Sequence, residues 1–297
     1  MKSLTKILEE EYGTVKADRI SPIHISSNEN VQKLLNAYDT WLSEGANYSH
    51  SLSVHKILST QAITSEDITA FCFGLSLFEE RSIFKLTGKF LSELVNQHFM
   101  KTQTERYLLV TKHLIKPISY LGEETNGADI FIDGPGGNVC CQNMHTGTVS
   151  FTGDVQDRLG YGMMGGTIIV EKNARDEVGA EILDGLIIVK GSSRNRVARY
   201  GKRGNIYIGT DASIPYGEDL VDGRIRVYCR ENQIEFAKEK GVLFNGQIFD
   251  IKKYETTYHH SIDFRCDDRP NLGVNVYYGA DEMIWMEEIN KKNRTNI

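Results

Sequence analysis

Cysteine is scarce in this chain of 297 residues, with only Cys72, Cys140, Cys141, Cys229 and Cys266. The number is odd and the spacing irregular for a chain of this size. That excludes a disulfide framework and predicts a reducing, cytoplasmic setting. No run of about 18 apolar residues occurs, so no membrane-spanning helix is expected. The start, from Met1-Lys2-Ser3-Leu4 to Glu9-Glu10-Glu11, lacks the apolar stretch of a signal peptide. Positive charge is not in excess either. A net charge of −6 and a pI near 5.8 argue against nonspecific binding to nucleic acid or to an acidic membrane.

What is present is a repeat. Gly147, Gly166, Gly185, Gly204 and Gly223 lie 19 residues apart, and Ala128 occupies the same frame one step upstream. Two and four residues after each stand Ile130/Ile132, Val149/Phe151, Ile168/Val170, Ile187/Val189, Ile206/Ile208 and Ile225/Val227. Alternating apolar, mostly β-branched residues predict a strand with one buried face. A second small site recurs at Gly160, Gly179, Ala198 and Gly217, preceded by Leu159, Val178, Val197 and Tyr216. A two-residue hairpin cannot join parallel copies, and 19 residues leave no room for a crossover helix. The remaining solution is a parallel β-helix whose coils stack directly on one another. Six coils about 4.8 Å apart would make a rod of roughly 24–29 Å.

Upstream the periodicity is helical. Ser27 or Asn28 suits an N-cap, followed by Val31, Leu34, Leu35, Tyr38, Trp41 and Leu42 at helical spacing, with Gly45 as a stop. Leu4, Ile7 and Leu8 suggest a turn or two of helix before it. Thr64-Ser65-Glu66-Asp67 opens a second helix in capping style, with Ile68, Phe71, Cys72, Leu75 and Phe78 on its face. Ile83, Leu86, Phe90, Leu91, Leu94, Val95 and Phe99 form a third stripe. Residues 104–116 are predicted as a last helix, stopped before Pro117. The expected architecture is α+β and multi-domain. A mainly helical domain spans 1–119, a right-handed β-helix of 19-residue coils 120–228, and a capping extension 229–297.

The glycine pattern resembles the GXGXG domain found in the glutamate synthase large subunit and in formylmethanofuran dehydrogenase. The resemblance is best over Gly147–Gly209, in Thr152-Gly153-Asp154, Gly160-Tyr161-Gly162-Met163-Met164-Gly165-Gly166 and Val178-Gly179-Ala180-Glu181. It implies a right-handed β-helix that serves as a scaffold between catalytic parts. Nothing here matches the N-terminal nucleophilic cysteine, flavin barrel or iron–sulfur cysteines of glutamate synthase.

Several constellations invite a sharper reading. Gly160-Tyr161-Gly162-Met163-Met164-Gly165 satisfies G-x-G-x-x-G, but the dinucleotide fingerprint needs a helix next, and Gly166-Thr167-Ile168-Ile169-Val170 is a strand pattern. Arg194, Arg196, Arg199, Lys202 and Arg203 form a basic run. The 19-residue frame places Asp184 and Asp222 beside Arg203 and Glu177 beside Arg196. Arg194 has no acidic neighbour one coil away and Arg199 none one coil upstream, so an anionic ligand is expected at these two if anywhere. Cys140-Cys141 with His145 suggests a nucleophile or a metal. The frame instead puts Cys140 at the inward place of Leu159 and Cys141 at the corner place of Gly160. His259-His260 with Asp263, Cys266, Asp267 and Asp268 matches no standard zinc spacing, and Ser76 lacks the second glycine of a nucleophile elbow. No catalytic, cofactor-binding or metal residue is therefore assigned, and no cofactor. The leading expectation is a non-catalytic scaffold that binds a protein partner or its own copies. The alternatives are an accessory subunit of a glutamate synthase-like or formyl-transfer complex, and an enzyme whose site lies between helices, coils and tail near His259 and His260.

Overall fold

The computed structural model describes residues 28–46, 50–209, 224–229, 251–253, 260–265, 273–280, 287–288 and 291. The turn expected around Leu4, Ile7 and Leu8, together with Tyr216, Gly217 and Asp222, lies outside them.

The helices are α1 (Glu29–Ser43), α2 (His50–Thr60), α3 (Ser65–Gly74) and α4 (Thr87–Thr102). Asn28 caps α1 by accepting from the amides of Asn30 and Val31, and all six residues of the expected stripe are buried. Thr64 and Asp67 form the reciprocal capping box of α3. Asp67 also accepts from Asn28 at 2.7 Å and from Asn30 at 2.8 Å, which ties the starts of α1 and α3 together. Tyr38, Trp41, Phe71 and Phe90 pack as an aromatic knot with ring centroids 5.3–5.9 Å apart.

The helix expected over 104–116 is not formed. Arg106–Val110 is a strand, β1, parallel to β2 (Asn126–Asp133), with Tyr107 opposite Ile130 and Leu109 opposite Ile132. Tertiary pairing wins over local periodicity here: Tyr107 and Leu109 alternate into the core with Leu108 between them. β1 is held from the helical side. Thr69 donates to the Leu108 carbonyl at 2.7 Å, and His98 bonds the Tyr107 hydroxyl and the Ile63 carbonyl at 2.8 and 2.9 Å.

Then follow β3 (Thr146–Phe151), β4 (Thr167–Val170), β5 (Leu186–Val189) and β6 (Arg203–Gly209). They stack in parallel in a right-handed solenoid of about five turns. The register is the sequence frame itself: Val149, Ile168, Ile187 and Ile206 align in one column, and Phe151, Val170, Val189 and Ile208 in the next. Every one of these eight side chains has no exposed surface. A second line of pairing runs through Gly136, Val155 and Ala174. A third links Gly160 to Cys140, Gly179 to Leu159 and Ala198 to Val178 by amide-to-carbonyl bonds of 2.7–2.8 Å.

Two details depart from the frame. In the first coil the positive-φ corner is Gly127 (φ +102), not Ala128, and the β2–β3 register slips by one residue between Asn126 and Asp129. More consequentially, the coil that begins at Gly223 does not stack on the one that begins at Gly204. β10 (Gly273–Ala280) runs between β6 and β7 (Arg224–Cys229), parallel to both. Ile206 faces Val276, and Val276 faces Val227, two residues past the expected partner Ile225. Beyond β7 lie β9 (His260–Arg265) and β8 (Ile251–Lys253), both antiparallel pairings. Among the described residues of the C-terminal segment, 251–253, 260–265 and 273–280 thus enter the sheet.

Candidate functional site

A charged cluster among the described residues lies on the corner that leads into the Gly160/Gly179 column. Val139, Arg158, Glu177 and Arg196 recur every 19 residues there, all left-handed with φ between 60° and 64°. Stacking holds this conformation where the next coil is described: the corner amides of Val139, Arg158 and Glu177 bond the carbonyls of Asp157, Asp176 and Asn195. The corner therefore points three charged side chains of successive coils along one line.

Glu177 sits at the centre and is buried. Its carboxylate pairs with Arg158 at 2.7 Å, Arg199 at 3.0 Å and Arg196 at 3.3 Å. Burial pushes this carboxyl up, but the bonds from Arg158, then Arg196 and Arg199, outweigh it and hold its pKa below the ordinary value. Arg158 gains correspondingly, mainly through its bond to Glu177. The Arg199 guanidinium lies 4.7 Å from the Tyr200 ring centre and bonds its hydroxyl. Tyr161 donates to Glu181 at 2.5 Å alongside.

This arrangement refines the expected ladder. Arg196 meets Glu177 and Arg203 meets Asp184 at 3.2 Å, as the frame predicts. Arg199, which has Ala180 and not an acid one coil upstream, reaches Glu177 from 22 residues away, because the left-handed corner turns it back toward that column. An anion site at Arg194/Arg199 therefore loses one of its two anchors to Glu177. Arg194 itself is exposed.

A second polar feature was not anticipated. The side-chain oxygens of Ser119, Asn138, Asp157 and Asp176 accept the backbone amides of Asn138, Asp157, Asp176 and Asn195, each one coil on, at 2.9–3.2 Å. Asp154 and Asn173 do the same for Asn173 and Ser192. The signal was in the sequence: Ser, Asn, Asp, Asp and Asn at 119, 138, 157, 176 and 195 are short side chains with an acceptor oxygen.

The thiol candidates are placed as the frame predicts. Cys140 and Cys141 are fully buried, Cys141 with φ 58 at the corner position. Burial pushes the Cys140 thiol up to about 12 and Cys141 well above its usual range, so neither is a nucleophile at neutral pH. Gly160–Gly165 leads into the strand β4, which removes the helix N-terminus a dinucleotide phosphate would need. Ser76 lies in a 3-10 turn after α3. His260 opens β9 opposite Cys229, while His259, Cys266, Asp267 and Asp268 lie outside the described residues. Among the described residues no group of three or more His, Cys, Asp or Glu is placed to hold a metal. No described helix is long and apolar enough to cross a membrane.

One groove of about 410 Å³ runs along the glycine corner, lined by His145, Met164, Asp184, Asn205, Glu288 and Lys291 among others. Its charged groups are paired internally: Asp184 with Arg203, and Lys291 with Glu288 at 2.6 Å. Comparison of the chain with family models, with curated proteins and with solved structures found no match.

Proposed function

We propose that the chain is a non-catalytic scaffold whose GXGXG-type coils hold a protein partner, or further copies of the chain, in fixed geometry. The observation that carries this reading is the use of polar side chains on the coils. Acceptor oxygens at 119, 138, 157, 176, 154 and 173 bond the next coil's amides. Glu177 likewise ties the coils of Arg158 and Arg196 to its own. Groups locked this way stiffen a surface and set its shape. The glycine frame, with Gly147, Gly166, Gly185 and Gly204 all at positive φ, supports a related second reading. In that reading the chain is an accessory subunit of a glutamate synthase-like or formyl-transfer complex.

The test is chemical crosslinking of the tagged chain in its native cells, purification, and quantitative mass spectrometry, with light scattering of the pure chain. A stoichiometric partner or a stable self-assembly is expected. A strictly monomeric chain that recovers no stoichiometric partner overturns both readings. Synthase or dehydrogenase catalytic subunits among the partners would select the second.

A further inference from the structure

The coil beginning at Gly223 carries the same pattern as the coils that stack directly, with glycine first and Ile225 and Val227 two and four residues on. Yet β10 stands between it and β6. Two registers are therefore written into the same strands. With β10 present, Ile206 relates to Val227 through Val276. Without it, the 19-residue frame brings Ile225 to Ile206 and Val227 to Ile208. The two differ by two residues, so each keeps the same strand faces inward. Both edges of the slot can thus satisfy their backbone groups whether it is filled or closed.

β10 fits the slot closely. Val274 and Val276 are buried, Val274 fills the space over Gly201, and the Tyr277 ring stacks on Tyr207 at 4.4 Å. We propose that the slot between β6 and β7 is an exchangeable strand site, occupied in cis by residues 273–280 and in trans by the same segment of a second copy. Strand addition of this kind draws affinity from main-chain bonds and specificity from alternate side chains. An identical chain supplies an identical strand, and a slot that can close in its own register spares the donor bare edges during exchange. This inference rests on the self-association arm of the scaffold function.

The experiment uses full-length chains with Cys229→Ser and Cys266→Ser. One tagged copy carries Asn205→Cys and a differently tagged copy carries Asn275→Cys, the residue opposite it in the β6–β10 pairing. After co-expression and oxidation, a disulfide between the two tags is expected at a yield at least about tenfold above an Asn205→Cys/Arg194→Cys collision control. A single copy with Asn205→Cys and Arg224→Cys reports closure. Those positions lie on strands separated by β10 in the structure, about 9.6 Å apart by strand spacing, and beyond disulfide reach. A single copy with both Asn205→Cys and Asn275→Cys confirms that the cysteines are compatible with folding. If that cis pair links fully while the mixed tags and the closure pair stay at background, the strand is fixed and the inference is overturned. A heterologous partner captured without exchange would also overturn it, and would leave the scaffold function standing.

Discussion

At its first rung the solenoid lies under a helix, with α3 supplying Thr69 to the Leu108 carbonyl of β1, whereas beyond β6 it continues into a strand drawn from residues 273–280. Neither device belongs to the 19-residue repeat. A repeat specifies its own middle, because each coil only needs to match its neighbours. Its ends must be made by something that does not repeat, since an open parallel edge invites pairing with another chain. The helical end uses rigid backbone-to-backbone approach. The far end, where β10 joins β6 to β7 and β9 and β8 follow outside, uses side chains seated in a space left by a glycine. The two ends should therefore differ in how much disturbance they tolerate.

The largest effect is expected at the helical end. A Cβ on Gly88 of α4 would run into the Ser119 carbonyl oxygen and stand 2.6 Å from the Leu121 amide. Backbone cannot yield as a side-chain tip does, so Gly88→Val should cost about 3–5 kcal/mol. Thermal denaturation would show the loss, and hydrogen exchange should show β1 and β2 deprotected first. Equal loss of protection at β10 would dissolve the distinction between the ends.

Between the ends, Glu177 joins three coils. Glu177→Gln leaves Arg158, Arg196 and Arg199 converging without the charge that holds them, at an expected cost of about 2–3 kcal/mol. The pH dependence has a definite sign. The folded-state pKa lies below the ordinary 4.5, so the contribution is complete above about pH 4.5 and is lost as the pH falls through the folded value. Melting curves from pH 6 down to pH 3 should show the native chain losing more stability in acid than the Gln variant. Parallel acid profiles would show that Glu177 does not carry the acid sensitivity.

At the other end the matching glycine change should be milder. A Cβ on Gly201 would lie 2.6 Å from a terminal methyl of Val274 and 2.9 Å from one of Ile182. Those methyls can rotate, although the Ala198 carbonyl at 2.9 Å limits the gain. Gly201→Ala is expected to cost about 1–2 kcal/mol and to raise amide exchange in β10 while β2–β5 keep theirs. A loss as large as that of Gly88→Val would show that the inserted strand is as rigidly seated as the helical end.

The same contrast explains what was legible in the sequence. The columns through Val149 and Phe151 and the corner place of Cys141 follow from the frame alone, because coil-to-coil stacking turns a spacing of 19 into a contact. Helix caps at Asn28 and Thr64 were equally local. What failed is what the frame does not encode. Residues 106–110 carry no glycine landmark, and their strand exists because β2 offers an edge. β10 lies 69 residues past Gly204, and only its fit over Gly201 and Tyr207 reveals its place. The reach of Arg199 to Glu177 depends on a left-handed corner that residue spacing does not show. The amide-capping oxygens at 138, 157 and 176 stand in the same 19-residue register as the apolar columns.

The smallest expected effect tests the corner conformation at the first coil. Val139 occupies the left-handed column at φ 60 and is half-buried, with neither the charge nor the ion pairs of Arg158, Glu177 and Arg196. A β-branched residue pays most for this backbone, so its presence shows the stack imposing a conformation that the residue itself disfavours. Asparagine tolerates the left-handed region and keeps a side chain of similar size. Val139→Asn should therefore stabilise by about 0.5–1 kcal/mol, raising Tm by a degree or two. Val139→Thr, polar but still β-branched, should bring no gain. If both variants fall together below the native chain, the burial of the valine outweighs its backbone strain. The left-handed column would then be held at its start by packing against the first rung, as the helical end is, and not by the stacking that holds Arg158, Glu177 and Arg196.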